Sequence, residues 1–152
     1  MPKFRVWLKY WLPVLVWMAV IFTASSDTRS FVRSSRILAP LLHWLFPQLQ
    51  PDTIDDIVLV VRKGAHLTEY AILALLLWRA VRKPVKNERR TWSWPEARLV
   101  LLSVALYAAS DEFHQLFVAS RDAAVHDVLI DTVGGAAGLA ALWRIGRWRN
   151  HW

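Results

Sequence analysis

The chain has 152 residues, of which 55% are hydrophobic, ten are Trp and 20% are charged, with a net charge of +7 and a mean hydropathy of +0.26. Ordinary soluble domains run at about 45–50% apolar with about a quarter of residues charged. The balance therefore favours a few membrane helices over a soluble domain and excludes disorder. Cysteine is absent, which excludes disulfides, thiolate zinc sites and cysteine nucleophiles. The pI of 10.4 admits an acidic partner, but ten Trp and long aliphatic runs argue against nucleic acid.

In chain order, the first apolar stretch is Val6–Ala24, predicted as a helix from about Trp7 with Pro13 near its start. Its basic flank followed by an apolar run has the outline of a signal peptide. The Ala24-Ser25-Ser26 junction is a poor cleavage site, and Trp11, Pro13 and Trp17 are unusual in a signal core, so a retained helix is expected. The next segment, Thr28–Thr53, places Phe31, Ile37, Leu38, Leu41, Leu42, Trp44, Leu45 and Phe46 at helical spacing among Arg29, Arg33 and Arg36. This predicts a short interfacial helix on the outer leaflet, broken by Pro40 and ended by Pro47. Pro51-Asp52 marks the turn into a second span, Ile57–Trp78. A basic loop, Lys83–Glu96, leads to a third span at Leu99–Val118. The connection Ala119–Ala124 leads to a fourth at Val125–Trp143.

Each stretch has 19 to 22 residues, the length that crosses about 30 Å of hydrocarbon. The fold class expected is all-α, a four-helix transmembrane bundle forming one domain over residues 1–152. Charge placement orients it. The N-terminus, the middle loop and the C-terminus hold thirteen of the nineteen Lys and Arg with only two acids, Glu88 and Glu96, which is +11. The remaining six Lys and Arg meet ten acids, which is −4. The positive-inside rule then puts both ends in the cytoplasm. The competing reading is a soluble helical bundle with basic patches. It must explain Trp7, Trp11, Trp78, Trp143 and Trp148 at or near the span ends, where interfacial Trp concentrate.

Ionisable residues interrupt three spans, at a cost of about 2.5–3.5 kcal/mol each on insertion scales. Arg62, Lys63, His66, Glu69 and Tyr70 fall within about 120° of one helix face; Asp111, Glu112 and Gln115 within about 100°; Asp127 and Asp131 within about 40°. His66, Asp111 and Asp131 lie at roughly 9–14 Å below the outer surface, so the three faces meet at one level. Arg121 lies in the connection above them. Three cations, Arg62, Lys63 and Arg121, face five acids, an excess that implies carboxyls sharing protons. This is a starting arrangement for acid–base chemistry and also for a structural network. Gly134 and Gly138 share a face with Asp131 and are expected to pack helices closely. Walker, dinucleotide, zinc-protease and nucleophile-elbow motifs are all missing. No ligand spacing argues for a metal or other cofactor, although His66, Glu112, His126 and Asp127 would form a conceivable carboxylate-rich set.

The run Asp111-Glu112-x-x-Gln115-x-Phe117-x-x-x-Arg121-x-x-x-x-x-Asp127-x-x-x-Asp131-x-x-Gly134 resembles the signature of the VanZ-like family. Lys63-x-x-His66-x-x-x-Tyr70-x-x-Leu73 resembles its other motif, and Trp17 through Ser25-Ser26 its first helix. The resemblance covers roughly residues 10–140. The chain departs from it at Ala119-Ser120, where Pro-Gly is common, and at Asp131, where Asn is common. The resemblance implies a small multi-pass protein of the bacterial cytoplasmic membrane, linked to reduced teicoplanin susceptibility. It implies no reaction.

Three functions are compatible with these residues. In the first, an outer-leaflet pocket holds a lipid headgroup, a lipid-linked precursor or a glycopeptide, with Arg62, Lys63, Tyr70, Gln115, Arg121, Asp127 and Asp131 in contact. In the second, the protein is a membrane-embedded enzyme using Glu112 or Asp111 with His66 as acid–base partners. In the third, the polar network only fixes helix register. The first is preferred.

Overall fold

The computed structural model describes residues 3–26, 30–83, 91–116 and 125–149. Among these there are five helices and no strand: α1 Lys3–Ser26, α2 Ser30–Leu45, α3 Pro51–Arg82, α4 Trp94–Gln115 and α5 Val125–Trp148. Arg121, the Ala119–Ala124 connection and residues 84–90 of the basic loop lie outside the described residues.

The helix boundaries follow from local chemistry. Pro51 occupies the start of α3, where its missing N–H costs no intrahelical bond, and Asp52 sits in the first turn against the helix dipole. The helix stops at Lys83, which adopts a left-handed conformation (φ 41°) and donates its N–H to Arg79 O at 3.0 Å. Pro84 follows and cannot continue a helix. Ser93 caps α4, its hydroxyl accepting the Glu96 N–H at 3.4 Å, in the Ser-x-x-Glu pattern of a capping box.

Several boundaries differ from expectation: α3 covers Pro51–Arg82, so the expected turn at Pro51-Asp52 is its first turn, and α5 runs beyond Trp143 to Trp148. α1 begins at Lys3, so Pro13 is interior to it. α2 runs through Pro40 without breaking and ends two residues before Pro47. A single interior proline removes one hydrogen bond, a loss that a helix can absorb, and α2 also contacts α3.

α3 is the hub. Its largest contact is with α5, and it also touches α1, α4 and α2. The α3–α5 contact is close because Gly134 and Gly138 present bare backbone to α3. A Cβ on Gly134 would lie 2.5 Å from Leu67 O, and one on Gly138 would lie 2.8 Å from Ala71 O. Gly135 abuts the Val104 side chain on α4 in the same way. The core fills the remaining space with Tyr10, Val14 and Ile21 of α1, Tyr70, Leu73, Ala74 and Leu77 of α3, and Val100, Val104 and Ala108 of α4.

The polarity of α4 is inverted relative to a water-soluble helix. Asp111 and Gln115 are 2% and 4% exposed, while Leu102, Leu106 and Phe113 are 58%, 63% and 63% exposed. Hydroxyls on outer faces turn inward to their own helix: Thr68 to Gly64 O at 2.8 Å, Ser103 to Leu99 O at 2.9 Å, Ser110 to Tyr107 O at 2.7 Å. Thr23 and Thr132 do the same. Such back-bonding satisfies a hydroxyl where the surroundings offer no partner. α1 and α5 are long and apolar enough to cross a membrane, over Phe4–Ser25 and His126–Trp148. α3 and α4 are interrupted by ionisable residues.

Candidate functional site: a polar cavity between α3, α4 and α5

The polar faces of α3, α4 and α5 converge on a cavity of about 90 Å³. This holds a few water molecules or one small polar group, and is smaller than the roughly 150 Å³ that accommodates benzene. Arg62, Lys63 and His66 line it from α3, Glu112 from α4, and Asp127 and Asp131 from α5, with Leu59 and Ile130 as apolar walls.

The cavity has a wet end and a dry end. Lys63 Nζ lies 3.6 Å from Asp127 Oδ1, and both side chains are partly exposed. His126 Nε2 reaches the same Asp127 oxygen at 3.2 Å from the exposed side. At the dry end, Asp131 and Glu112 are buried. His66 Nδ1 stands 3.8 Å from Asp131 Oδ1 and 3.9 Å from Glu69 Oε2. Both separations exceed a hydrogen bond but suit an ion pair with an imidazolium. The wholly buried Tyr70 hydroxyl lies beside the Asp131 carboxyl without a hydrogen bond of full geometry.

Not all the expected residues join this cavity. Asp111 and Gln115 face α1. Ser25 Oγ donates to Asp111 Oδ2 at 2.6 Å, Gln115 Nε2 donates to Ser25 Oγ at 2.6 Å, and Gln115 Nε2 also reaches Asp111 Oδ2 at 3.2 Å. This buried node ties α1 to α4. Two more bonds support the same side: Tyr107 Oη to Met18 O at 2.6 Å, and Trp17 Nε1 to Glu69 O at 2.9 Å. Tyr70 stands behind the cavity and does not line it. Sequence reasoning placed Ser25 and Trp17 only within a motif. Their chemical signal is that each offers a donor on an otherwise apolar helix. Arg121 lies outside the described residues. Among the described residues no group of three or more His, Asp or Glu forms a metal cluster.

A family model described as VanZ/LLP1 matches residues 10–146, which takes in α2, α3 and α4 whole, the Ser25 node and every cavity residue. The chain belongs to the VanZ/LLP1 family. No curated protein and no solved structure matches it. Family membership and the two apolar helices make this VanZ/LLP1 chain a membrane protein by character. Within it, the long Asp111–Gly134 motif divides by role. Asp111 and Gln115 fasten α4 to α1, Glu112, Asp127 and Asp131 supply the cavity's acids, and Gly134 brings α5 onto α3.

Chemically, the cavity offers two long cationic side chains near an open edge and two buried carboxyls with an imidazole at its base. It can take an anionic group at Arg62 and Lys63, and it can hold or pass a proton among His66, Glu112 and Asp131.

Proposed function

We propose that this VanZ/LLP1 chain is a four-span protein of the bacterial cytoplasmic membrane with both ends in the cytoplasm. Its cavity lies in the outer half of the bilayer and binds the polar headgroup of a lipid or lipid-linked envelope precursor. Through that ligand it affects envelope homeostasis and glycopeptide (teicoplanin) susceptibility. The observation that carries this reading is the inverted polarity of α4. A helix that buries Asp111, Glu112 and Gln115 while exposing Leu102, Leu106 and Phe113 is matched to hydrocarbon outside and a polar site inside. It supports counting α4 as a span despite its acids. The +11 and −4 partition supports the orientation.

The ligand reading is tested by mass spectrometry of lipids retained on gently purified protein. Native chain is compared with Arg62→Ala and Arg121→Ala. The expected result is loss of one anionic species from a variant that remains monodisperse. Unchanged retention in both folded variants rules the reading out.

A second reading is favoured by His66 standing between the carboxyls of Asp131 and Glu69, with Glu112 buried on the same cavity. Here the protein is an enzyme that modifies a lipid or cell-wall precursor. Glu112 and His66 are the acid–base pair, and Asp111 stays with Ser25 as a positioning residue. Glu112→Gln separates the two readings. It abolishes turnover in an enzyme and leaves headgroup retention largely intact in a binder.

A further inference from the structure

The opposite end of the molecule carries a feature that the cavity does not use. At the last two turns of α5, Ala141, Arg144, Ile145 and Trp148 follow the spacing i, i+3, i+4, i+7 and so form one outward stripe. They line an open groove of about 300 Å³. Trp148 is 82% exposed and Ile145 is 50% exposed, so among the described residues nothing covers this stripe. The small Ala141 leaves the floor of the groove low, and Arg144 stands beside it.

The surroundings are basic and aromatic. Arg147 lies over the Trp143 ring at 5.4 Å, Arg79 and Lys9 flank the Tyr10 ring at 5.3 and 5.5 Å, and Arg82 lies over Trp78 at 4.9 Å. Trp78, Trp92, Trp94 and Trp143 form a continuous chain of ring contacts, from 4.3 Å stacked to 6.2 Å tilted. Arg79, Arg82 and Arg147 thus already lie over rings. Arg144 instead projects from the exposed stripe beside bare apolar surface.

We propose that this groove is a binding site for one anionic phospholipid of the cytoplasmic leaflet. The phosphate takes the Arg144 guanidinium in bidentate fashion, an acyl chain lies along Ala141 and Ile145, and the Trp148 ring sits at headgroup depth. Charge complementarity selects this occupant. Arg144 and Arg147 lie on the terminal turns of α5 with Arg149 just after it, and no acid follows Asp131 in the chain. A planar guanidinium suits a phosphodiester better than an ammonium does. Indole rings favour the level at which headgroups lie. The inference rests on the bilayer placement and is independent of the polar cavity at the other end.

The test uses the full chain in nanodiscs of phosphatidylcholine containing 5 mol% phosphatidylglycerol, about one part in twenty. Native mass spectrometry then counts the lipids retained after gentle ejection. The native protein should retain phosphatidylglycerol well above its share. Arg144→Gln should lower that retention roughly tenfold, the effect of losing one charge-assisted contact to the phosphate. Arg144→Lys should keep part of it. Arg98→Gln removes the same charge from the exposed face of α4 at the same end and should leave retention unchanged. Three outcomes overturn the proposal: equal retention by Arg144→Gln and native protein, an equal loss in Arg98→Gln, or a dimer that Arg144→Gln dissociates. The second would mean a diffuse basic belt, and the third would mean that a second copy covers the groove. Failure here leaves the Arg62 and Arg121 experiment untouched.

Discussion

Adding one methyl group to two glycines should have opposite effects. Gly64 and Gly134 both lie inside helices, and Gly→Ala in a helix interior is favourable by about 0.8–1.0 kcal/mol on propensity alone. At Gly64 a Cβ would meet nothing within 4 Å, so Gly64→Ala should keep that gain. At Gly134 the same Cβ would lie 2.5 Å from Leu67 O and 2.9 Å from Leu67 Cα. Those are backbone atoms of α3 and cannot rotate away. The two helices must separate by a large fraction of an ångström, which opens the most extensive helix contact among the described residues. Overpacking of this kind costs about 1–3 kcal/mol, which cancels or exceeds the propensity gain. The assay is thermal unfolding of detergent-purified protein followed by the surviving monodisperse peak in size-exclusion chromatography. Gly64→Ala should match or exceed the native midpoint, and Gly134→Ala should fall several degrees below it. A Gly134→Ala protein as stable as Gly64→Ala would refute the close α3–α5 approach.

Three further predictions follow from single contacts. Ser25→Ala removes the hydroxyl shared by Asp111 and Gln115 in a buried site and should cost about 1–3 kcal/mol; Thr at this position should restore part of that stability in the same thermal assay. Tyr107→Phe deletes the 2.6 Å bond to Met18 O and should lower stability by about 1 kcal/mol, with no effect on lipid retention at the cavity. Arg82 is buried against Glu96 at 3.2 Å and also donates to Thr91 O at 2.7 Å. Arg82→Ala should therefore cost about 3 kcal/mol, read as loss of membrane-inserted protein, whereas Glu96→Gln, whose carboxyl is one-third exposed, should cost less.

Much of this architecture could be read from residue order, because helical periodicity is a local property. The polar faces of α3, α4 and α5 and the two glycines are fixed by 100° per residue, and three of those faces do meet at a cavity. What periodicity leaves open is which neighbour each part of a face addresses. Asp111 and Glu112 are adjacent in sequence and about 100° apart on the helix, so one turns to Ser25 on α1 while the other turns to the α5 acids. Nothing local to α4 tells these directions apart, since the answer depends on where α1 docks. Pro40 is the converse case. Its local cost is real, yet the helix continues through it while contacting α3, which residue order alone does not reveal.

The length of α3 has a consequence for the four-span placement proposed above. Its 32 residues make a rod of about 48 Å, against about 30 Å of hydrocarbon. The surplus is not distributed freely. Asp52, Asp55 and Asp56 mark one end, and Arg79, Arg82 and Lys83 mark the other. In that placement these two collars would act as stops that fix the vertical register of the bundle. A bilayer that thickened or thinned could not be followed by sliding, so the rod would have to lean or the lipid deform around it. Tilt of α3 would then gauge bilayer thickness, and because α3 supplies Arg62, Lys63 and His66 to the cavity, its mouth would rise or sink with that lean.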